Sequence, residues 1–262
     1  MLSTHKTVQV RTVIFGSKQR LLIAKDISSQ ITQEQLRKNF ISNASHELRT
    51  PLTVSSGYLE LLEMSNSLPK QQKGALENAN QQVQRMNATL DNMLQLYKLE
   101  ENNTGQQVTK TIHIGSVIHQ VVSDFSGQSR DQHFELQIDN TLFVEGQLDQ
   151  LDQLHSLIQN LVSNAVKYSP TELTITIQLI KKEAGFLFVI KDQGEGIPND
   201  DISHLTERFY RVNVYRHTAI TSTGLGLSIV KNIADNMGAM LKIERELGKG
   251  ATFTLKFPRV SE

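Results

Sequence analysis

Four groups of residues in this 262-residue chain carry chemistry by their type and spacing. The first surrounds His46, in Phe40-Ile41-Ser42-Asn43-Ala44-Ser45-His46-Glu47-Leu48-Arg49-Thr50-Pro51-Leu52. Apolar or small residues recur at Ile41, Ala44, Leu48, Leu52, Ser55, Leu59 and Leu62, the three-and-four spacing of a bundle helix. At about 100° per residue, His46 lies two positions from both Ala44 and Leu48, so its ring is expected opposite the buried seam, open to a visiting reactant. Thr50 shares that face at i+4, and Glu47 can reach round toward the ring. Pro51 cannot donate to the carbonyl of Glu47, which predicts a kink or loosening just past the histidine. An exposed histidine on an ordinary amphipathic helix would show the same stripe.

The second group lies on a helix whose buried stripe is Leu151, Leu154, Ile158, Leu161 and Ala165, with Asn160, Asn164 and Lys167 clustered within roughly 60° on another face. Two carboxamides and an ammonium on one helical edge can ligate a hard cation and neutralise phosphate. Magnesium, which keeps several waters in octahedral geometry, suits one amide oxygen plus triphosphate oxygens. Polar residues on the wet side of a helix explain the trio equally.

The third group follows the apolar run Phe186 to Ile190, which delivers Lys191-Asp192-Gln193-Gly194-Glu195-Gly196-Ile197-Pro198. A carboxylate at a strand end can accept a hydrogen bond from the exocyclic amine of adenine, and Gly194 and Gly196 let backbone approach a flat base. The fourth, Thr223-Gly224-Leu225-Gly226-Leu227-Ser228, opens a helix, where free amide hydrogens and the positive dipole end favour phosphate oxygens. A Rossmann loop fails as an explanation, because no βαβ unit surrounds the segment and no third glycine follows in register. Between these groups, Arg208-Phe209-Tyr210-Arg211 leads into a polar stretch reaching Ser222, too long for an ordinary connection and expected to be a lid.

The elements that position these residues follow from period and punctuation. Val8 to Phe15 and Leu21 to Lys25 read as two strands around Gly16-Ser17-Lys18-Gln19. A long helix is expected from about Ser29 to Glu63, then a turn at residues 65 to 69, with Pro69 suited to opening a second helix. That helix carries Leu76, Ala79, Val83, Met86, Leu90, Met93 and Tyr97. Two helices with one narrow seam each are best buried as a homodimer closing a four-helix bundle, although a coiled coil without chemistry explains the stripes as well. Glu101 to Lys110 reads as a linker. Beyond it, helices are expected at 116–125, 147–167 and 224–237, and strands at 133–138, 141–145, 172–181, 186–191, 240–246 and 251–257, giving an α/β sandwich with a sheet covered on one face.

Composition narrows the classes. Basic and acidic residues balance at 27 each, which gives no support for a nucleic-acid partner. The absence of cysteine removes disulfides, thiolate metal sites and thiol catalysis. No apolar run approaches the roughly 18 to 20 residues needed to cross a bilayer, and Met1 to Arg11 lacks the apolar stretch of a signal peptide, so the polypeptide as written is expected to be soluble.

The strings themselves resemble a known family. His46-Glu47-Leu48-Arg49-Thr50-Pro51 in its Phe-Ile-Ser-Asn-x-Ser frame resembles the phospho-acceptor box of two-component sensor histidine kinases. Gln159 to Pro170, Asp192 to Gly196, Arg208 to Arg211 and Thr223 to Val230 resemble, in order, the N, G1, F and G2 boxes of the ATPase superfamily shared by gyrase, the heat-shock chaperone and histidine kinases. Gly248-Lys249-Gly250-Ala251-Thr252-Phe253 resembles its closing glycine turn. The resemblance implies an α+β chain: an N-terminal dimerising helical hairpin at 29–100, a linker at 101–110 and an ATP-binding α/β sandwich at 111–262. Residues 1–28 resemble the closing hairpin of a PAS-type sensor domain.

It further implies that ATP and Mg2+ bind through Asn160, Asn164, Lys167, Tyr168, Asp192, Gly194, Gly196, Arg208, Arg211, Gly224, Leu225 and Gly226, with Asn164 holding the metal. His46 would accept the γ-phosphoryl group, Glu47 would act as base, and Thr50 would orient water for dephosphorylating a response regulator. The implied partners are a second copy and a receiver-domain aspartate. The implied place is cytoplasmic, in a parent protein anchored in the inner membrane through an upstream region. One departure stands out: Thr221-Ser222 occupies the place where family members commonly carry a Gly-Gly pair. Two other classes fit part of the pattern, an ATPase using nucleotide as a conformational clamp and a non-catalytic dimeric scaffold.

Overall fold

The structure, a computed structural model, describes residues 6–15, 19–64, 69–100, 109–128, 132–170, 172–212, 222–246 and 250–258. It divides into two compact units, Met1–Asn66 and Ser67–Glu262.

In the first unit, β1 (Val8–Phe15) pairs antiparallel with β2 (Gln19–Asp26), Val8 opposite Asp26 and Phe15 opposite Gln19. The expected turn residues 16–18 lie outside the described residues; Gln19 belongs to β2. Helix α1 (Ser28–Glu63) follows at once. Its start is set by Asp26, whose Oδ1 accepts the Ser28 N–H at 2.9 Å, and by Ser28 Oγ, which accepts the Thr7 N–H at 2.8 Å. The Ser28 amide bond holds the Asp26 carboxyl below its ordinary value. α1 runs unbroken through Pro51. Hydroxyls serve the carbonyls of Arg49 and of Pro51 itself: Thr53 Oγ1 donates to Arg49 O at 3.0 Å and Ser55 Oγ to Pro51 O at 2.8 Å. Leu48, Val54, Tyr58, Leu61 and Leu62 are exposed along α1.

The second unit begins with α2 (Lys70–Glu100). Pro69 caps this helix rather than opening it, its carbonyl accepting the N–H groups of Gln72 at 2.8 Å and Lys73 at 3.1 Å. The buried stripe differs from the one the seven-residue pattern predicts. Val83 and Leu90 are buried as expected, but Met86 is exposed, and Leu96 and Leu99 are the most buried apolar residues of the helix. The reason is tertiary. The last turns of α2 join the core of this unit, and Asn236 Nδ2 bonds the Leu99 carbonyl at 3.0 Å. Burying two leucines there contributes about 1.5–3 kcal/mol each.

Next come β3 (Thr109–His113), α3 (Ile114–Gln128), β4 (His133–Ile138), β5 (Phe143–Gln147), α4 (Leu148–Tyr168), β6 (Thr174–Lys182), β7 (Gly185–Lys191), α5 (Gly226–Asn236), β8 (Met240–Glu246) and β9 (Gly250–Pro258). The main sheet has the order β4-β6-β7-β9-β8, with β4 and β6 parallel and the other neighbours antiparallel. Alternate residues point inward: Ile175, Ile177 and Leu179 from β6, Phe186, Phe188 and Ile190 from β7, Phe253, Leu255 and Phe257 from β9. Against them lie Leu157, Leu161 and Ala165 of α4 and Ile229, Ile233 and Ala234 of α5 in one core. This is the mixed α+β architecture that the sequence predicts, a helical N-terminal region followed by a sheet domain.

Strand β3 is an addition to the predicted elements. Thr109 and Lys110, read as the end of a linker, pair instead with Gln147 and Gly146 of β5. A polar five-residue strand leaves no apolar alternation to detect, and only its partner makes it a strand. Residues 101–108 lie outside the described residues. Among the described residues, no helix is long and apolar enough to cross a membrane.

Candidate functional site

Strand β7 ends at Lys191, and the next residue, Asp192, is carried into a cleft open to solvent. Asn164 and Tyr168 from the end of α4, Gly194, Gly196 and Ile197 after β7, Tyr210 and Arg211, Gly224 and Gly226 at the start of α5, and Ala251 and Phe253 of β9 line it.

Asp192 is buried, at 5% exposure. Its Oδ1 accepts two backbone hydrogen bonds, from Gly194 N and Ala251 N, both at 3.0 Å. Burial pushes its carboxyl above the usual range, against the pull of those two amides. A return bond from Asp192 N to Ala251 O at 3.0 Å locks the end of β7 to the start of β9. The carboxylate is therefore oriented by backbone through Oδ1, while Oδ2 takes no hydrogen bond from the described residues.

The glycines have reasons that the sequence did not show. A Cβ on Gly194 would stand 2.2 Å from the Tyr168 carbonyl oxygen, so the passage of the Asp192 loop over the end of α4 already requires glycine here. Gly226 makes room for the Asn160 side chain, whose Oδ1 would lie 2.9 Å from a Cβ. Gly224 has φ +71° and is pressed against the backbone of Phe209 and Tyr210. Phe209, itself at φ 64°, donates its N–H to the Gly224 carbonyl at 2.9 Å. The two ends of the predicted lid thus meet; residues 213–221 between them lie outside the described residues.

The structure brings eight of the twelve predicted nucleotide residues to the cleft and leaves four off its wall. Asn160 is turned toward its own helix, with Nδ2 donating to Ser156 O at 2.8 Å and Oδ1 packed at Gly226. Leu225 is fully buried in the core, and its N–H is taken by Thr223 Oγ1 at 3.3 Å. The amide hydrogens expected to be free at this helix start are thus partly served by neighbouring hydroxyls, Gly224 N by Ser222 Oγ at 3.4 Å. Lys167 and Arg208 are exposed outside the cleft. Crowding nonetheless lowers the Lys167 ammonium from its ordinary value, though the side chain as a whole is open to water.

Sequence reading missed the apolar walls, Ile197, Leu205, Val212, Leu227 and Phe253, together with Glu195, Tyr210, Ser222 and Ala251. Strand period two would have found Ala251 and Phe253, which share a face of β9. In the first unit, His46, Glu47 and Thr50 all lie on α1, with Glu47 and Thr50 exposed. The orientation expected of the His46 ring lies outside the described residues.

The C-terminal module is thus a five-stranded sheet packed against helices, with a cleft at the end of β7. The family model for histidine kinase-, DNA gyrase B- and HSP90-like ATPases matches residues 149–261. The model for the His Kinase A (phospho-acceptor) domain matches residues 36–102. One chain thus carries both the His Kinase A phospho-acceptor domain and, after it, the histidine kinase-, DNA gyrase B- and HSP90-like ATPase domain.

The phosphate regulon sensor protein PhoR of Pseudomonas aeruginosa is similar to it, 36% identical over 251 residues, covering 95% of this chain and 56% of that protein. The phosphate regulon sensor protein PhoR of Haemophilus influenzae is 35% identical over 256 residues, covering 97% and 59%. The chain thus spans little more than half the length of these curated relatives. In fold it is similar to full-length ShkA, solved in complex with AMPPNP, with a TM-score of 0.63, 22% identity and coverage of 86% of this chain and 47% of that one.

Proposed function

We propose that this chain is the kinase portion of a two-component sensor: ATP bound in the cleft donates its γ-phosphoryl group to His46. The observation that carries the reading is that one chain holds a phospho-acceptor domain and an ATPase domain whose cleft presents a backbone-oriented carboxylate. Asp192 accepts from the exocyclic amine of adenine. Ile197, Leu205 and Phe253 give the base an apolar bed. The phosphates extend toward Gly224 and Gly226 at the start of α5, where the helix dipole favours anions, and Arg211 offsets their charge.

The residues present fit magnesium, because Asn164 brings an amide oxygen to the same cleft and the triphosphate supplies the rest of an oxygen shell. Bound there, the ion would neutralise charge on the phosphate oxygens. In the transfer itself, a ring nitrogen of His46 attacks the γ-phosphorus, the N–P bond forms as the bond to the β-phosphate oxygen breaks, and ADP leaves. Glu47 takes or polarises the proton on the other ring nitrogen.

Phosphohistidine then passes its phosphoryl group to a receiver aspartate on a response regulator, and Thr50 orients water for the reverse, dephosphorylating task. The working form is a homodimer, in which two copies of residues 29–100 close a four-helix bundle. The exposed apolar residues of α1 support this. Residues 1–28 are read as the remnant of a PAS-type sensor domain and 101–108 as the linker. The parent protein carries its membrane anchor upstream of this segment.

Incubation of the full chain with γ-labelled ATP tests the assignment. Acid-labile label should enter the wild type and be absent from His46→Gln, while nucleotide binding by that variant persists. Label entering His46→Gln at the wild-type level would reject His46 as acceptor, whereas nucleotide turnover with no label in either protein would leave the conformational-clamp ATPase as the better reading.

A further inference from the structure

Both hydrogen bonds to Asp192 fall on one oxygen, and the backbone around that oxygen is closed. Gly194 N and Ala251 N converge on Oδ1 from two separate segments, each at 3.0 Å. Ala251 directs its N–H and its carbonyl toward the same residue, since Ala251 O accepts the Asp192 N–H. Gly250, at φ +91°, lets β9 come this near: a Cβ there would sit 2.1 Å from the Asp192 carbonyl oxygen and 2.8 Å from Oδ1. Oδ2 receives no hydrogen bond from the described residues, and the cleft is what Asp192 lines.

We propose that the amides of Gly194 and Ala251 are the specificity-determining donors of this site: by pinning Oδ1 they force position 192 to present whatever atom stands at Oδ2 to the base. With aspartate that atom is an acceptor, so the site takes a purine with an amine at the facing edge and turns away one with a carbonyl. The inference rests on the reading of the cleft as an adenine nucleotide site. Its consequence is not shared by a general electrostatic role for Asp192. In Asp192→Asn the two pinning donors repel an NH2 group, so the amide oxygen takes the Oδ1 place and the NH2 faces the cleft. The polarity read at the base edge then reverses.

The test is calorimetric binding of ATP and inosine triphosphate to the full chain. Wild type should prefer ATP by about tenfold or more, about 1.4 kcal/mol. Asp192→Asn should prefer inosine triphosphate. Asp192→Asn with Ala251→Pro lacks one pin, lets the amide turn, and should lose the reversal, with a thermal melt showing that it is folded. Should that double variant not fold, the ratio in the single variant decides alone. Asp192→Asn that still prefers ATP, or that loses both nucleotides equally, overturns the proposal while leaving the nucleotide site standing. Wild type that binds neither overturns the site and the proposal together.

Discussion

Replacing Gly194 with alanine sets a methyl carbon 2.2 Å from the main-chain oxygen of Tyr168. Neither partner can yield by a rotamer change, because the obstacle is the last carbonyl of α4 and the methyl is fixed to the loop backbone. About 1 Å of separation is needed to restore van der Waals contact, a shift of the kind that costs about 1–3 kcal/mol in a packed region. The displaced residue carries the N–H that holds Asp192 Oδ1, so the same shift removes one of the carboxylate's two anchors. Taking about 2 kcal/mol, the melting midpoint of a unit of this size should fall by about 4–8 °C. Adenine nucleotide affinity should fall roughly tenfold, since each 1.4 kcal/mol is one factor of ten. Gly74→Ala is the control: it lies inside α2, nothing stands within 4 Å of its added Cβ, and the change should stabilise by about 0.5–1 kcal/mol. Scanning calorimetry and nucleotide titration of both variants measure these effects. A Gly194→Ala protein that melts and binds like wild type would refute the claim that backbone proximity demands this glycine.

Other expectations follow from the same site. Phe209 holds a left-handed backbone at φ 64°. Phe209→Gly should relieve about 1–2 kcal/mol of strain against the unfolded-chain entropy that glycine adds, netting about 0.5–1 kcal/mol and a higher melting midpoint; a lower midpoint would show that the phenyl ring contributes more than its exposed position suggests. Burial raises the Asp192 carboxyl, so the folded, nucleotide-free chain holds that proton more tightly than the unfolded chain does. The resulting stability is present below the ordinary aspartate range and is lost as pH rises through the elevated folded value. Asp192→Asn should therefore melt above wild type at neutral pH, and the gap should close on acidification; a gap that widens in acid contradicts the burial argument.

Much of this protein could be read one residue at a time. The His46 string, the Asn164 helix, the Asp192 strand end and the Gly224–Gly226 turn each stand where period and punctuation place them, because α-helices and half-buried strands impose their repeats directly on residue order. The misplacements share one cause. Leu96 and Leu99 are buried because α2 meets α5, and Thr109 to His113 form a strand because β5 lies alongside. No local pattern encodes a neighbour that arrives from more than thirty residues away.

The same division runs through the site. Residue types alone specified that a carboxylate, a carboxamide and glycines near a helix start are available. Only tertiary contact decided what each does with its freedom: Gly194 yields to the Tyr168 carbonyl, Gly226 to Asn160, and Gly250 to Asp192. Asn160, Lys167, Arg208 and Leu225 share the right segments but not the cleft, because a helix edge or a loop carries side chains toward several directions at once. Sequence determined which chemical groups are available and on which elements; packing of β7, β9 and the end of α4 decided which oxygen of Asp192 is held and which is offered, since hydrogen bonds are set by distances between segments remote along the chain.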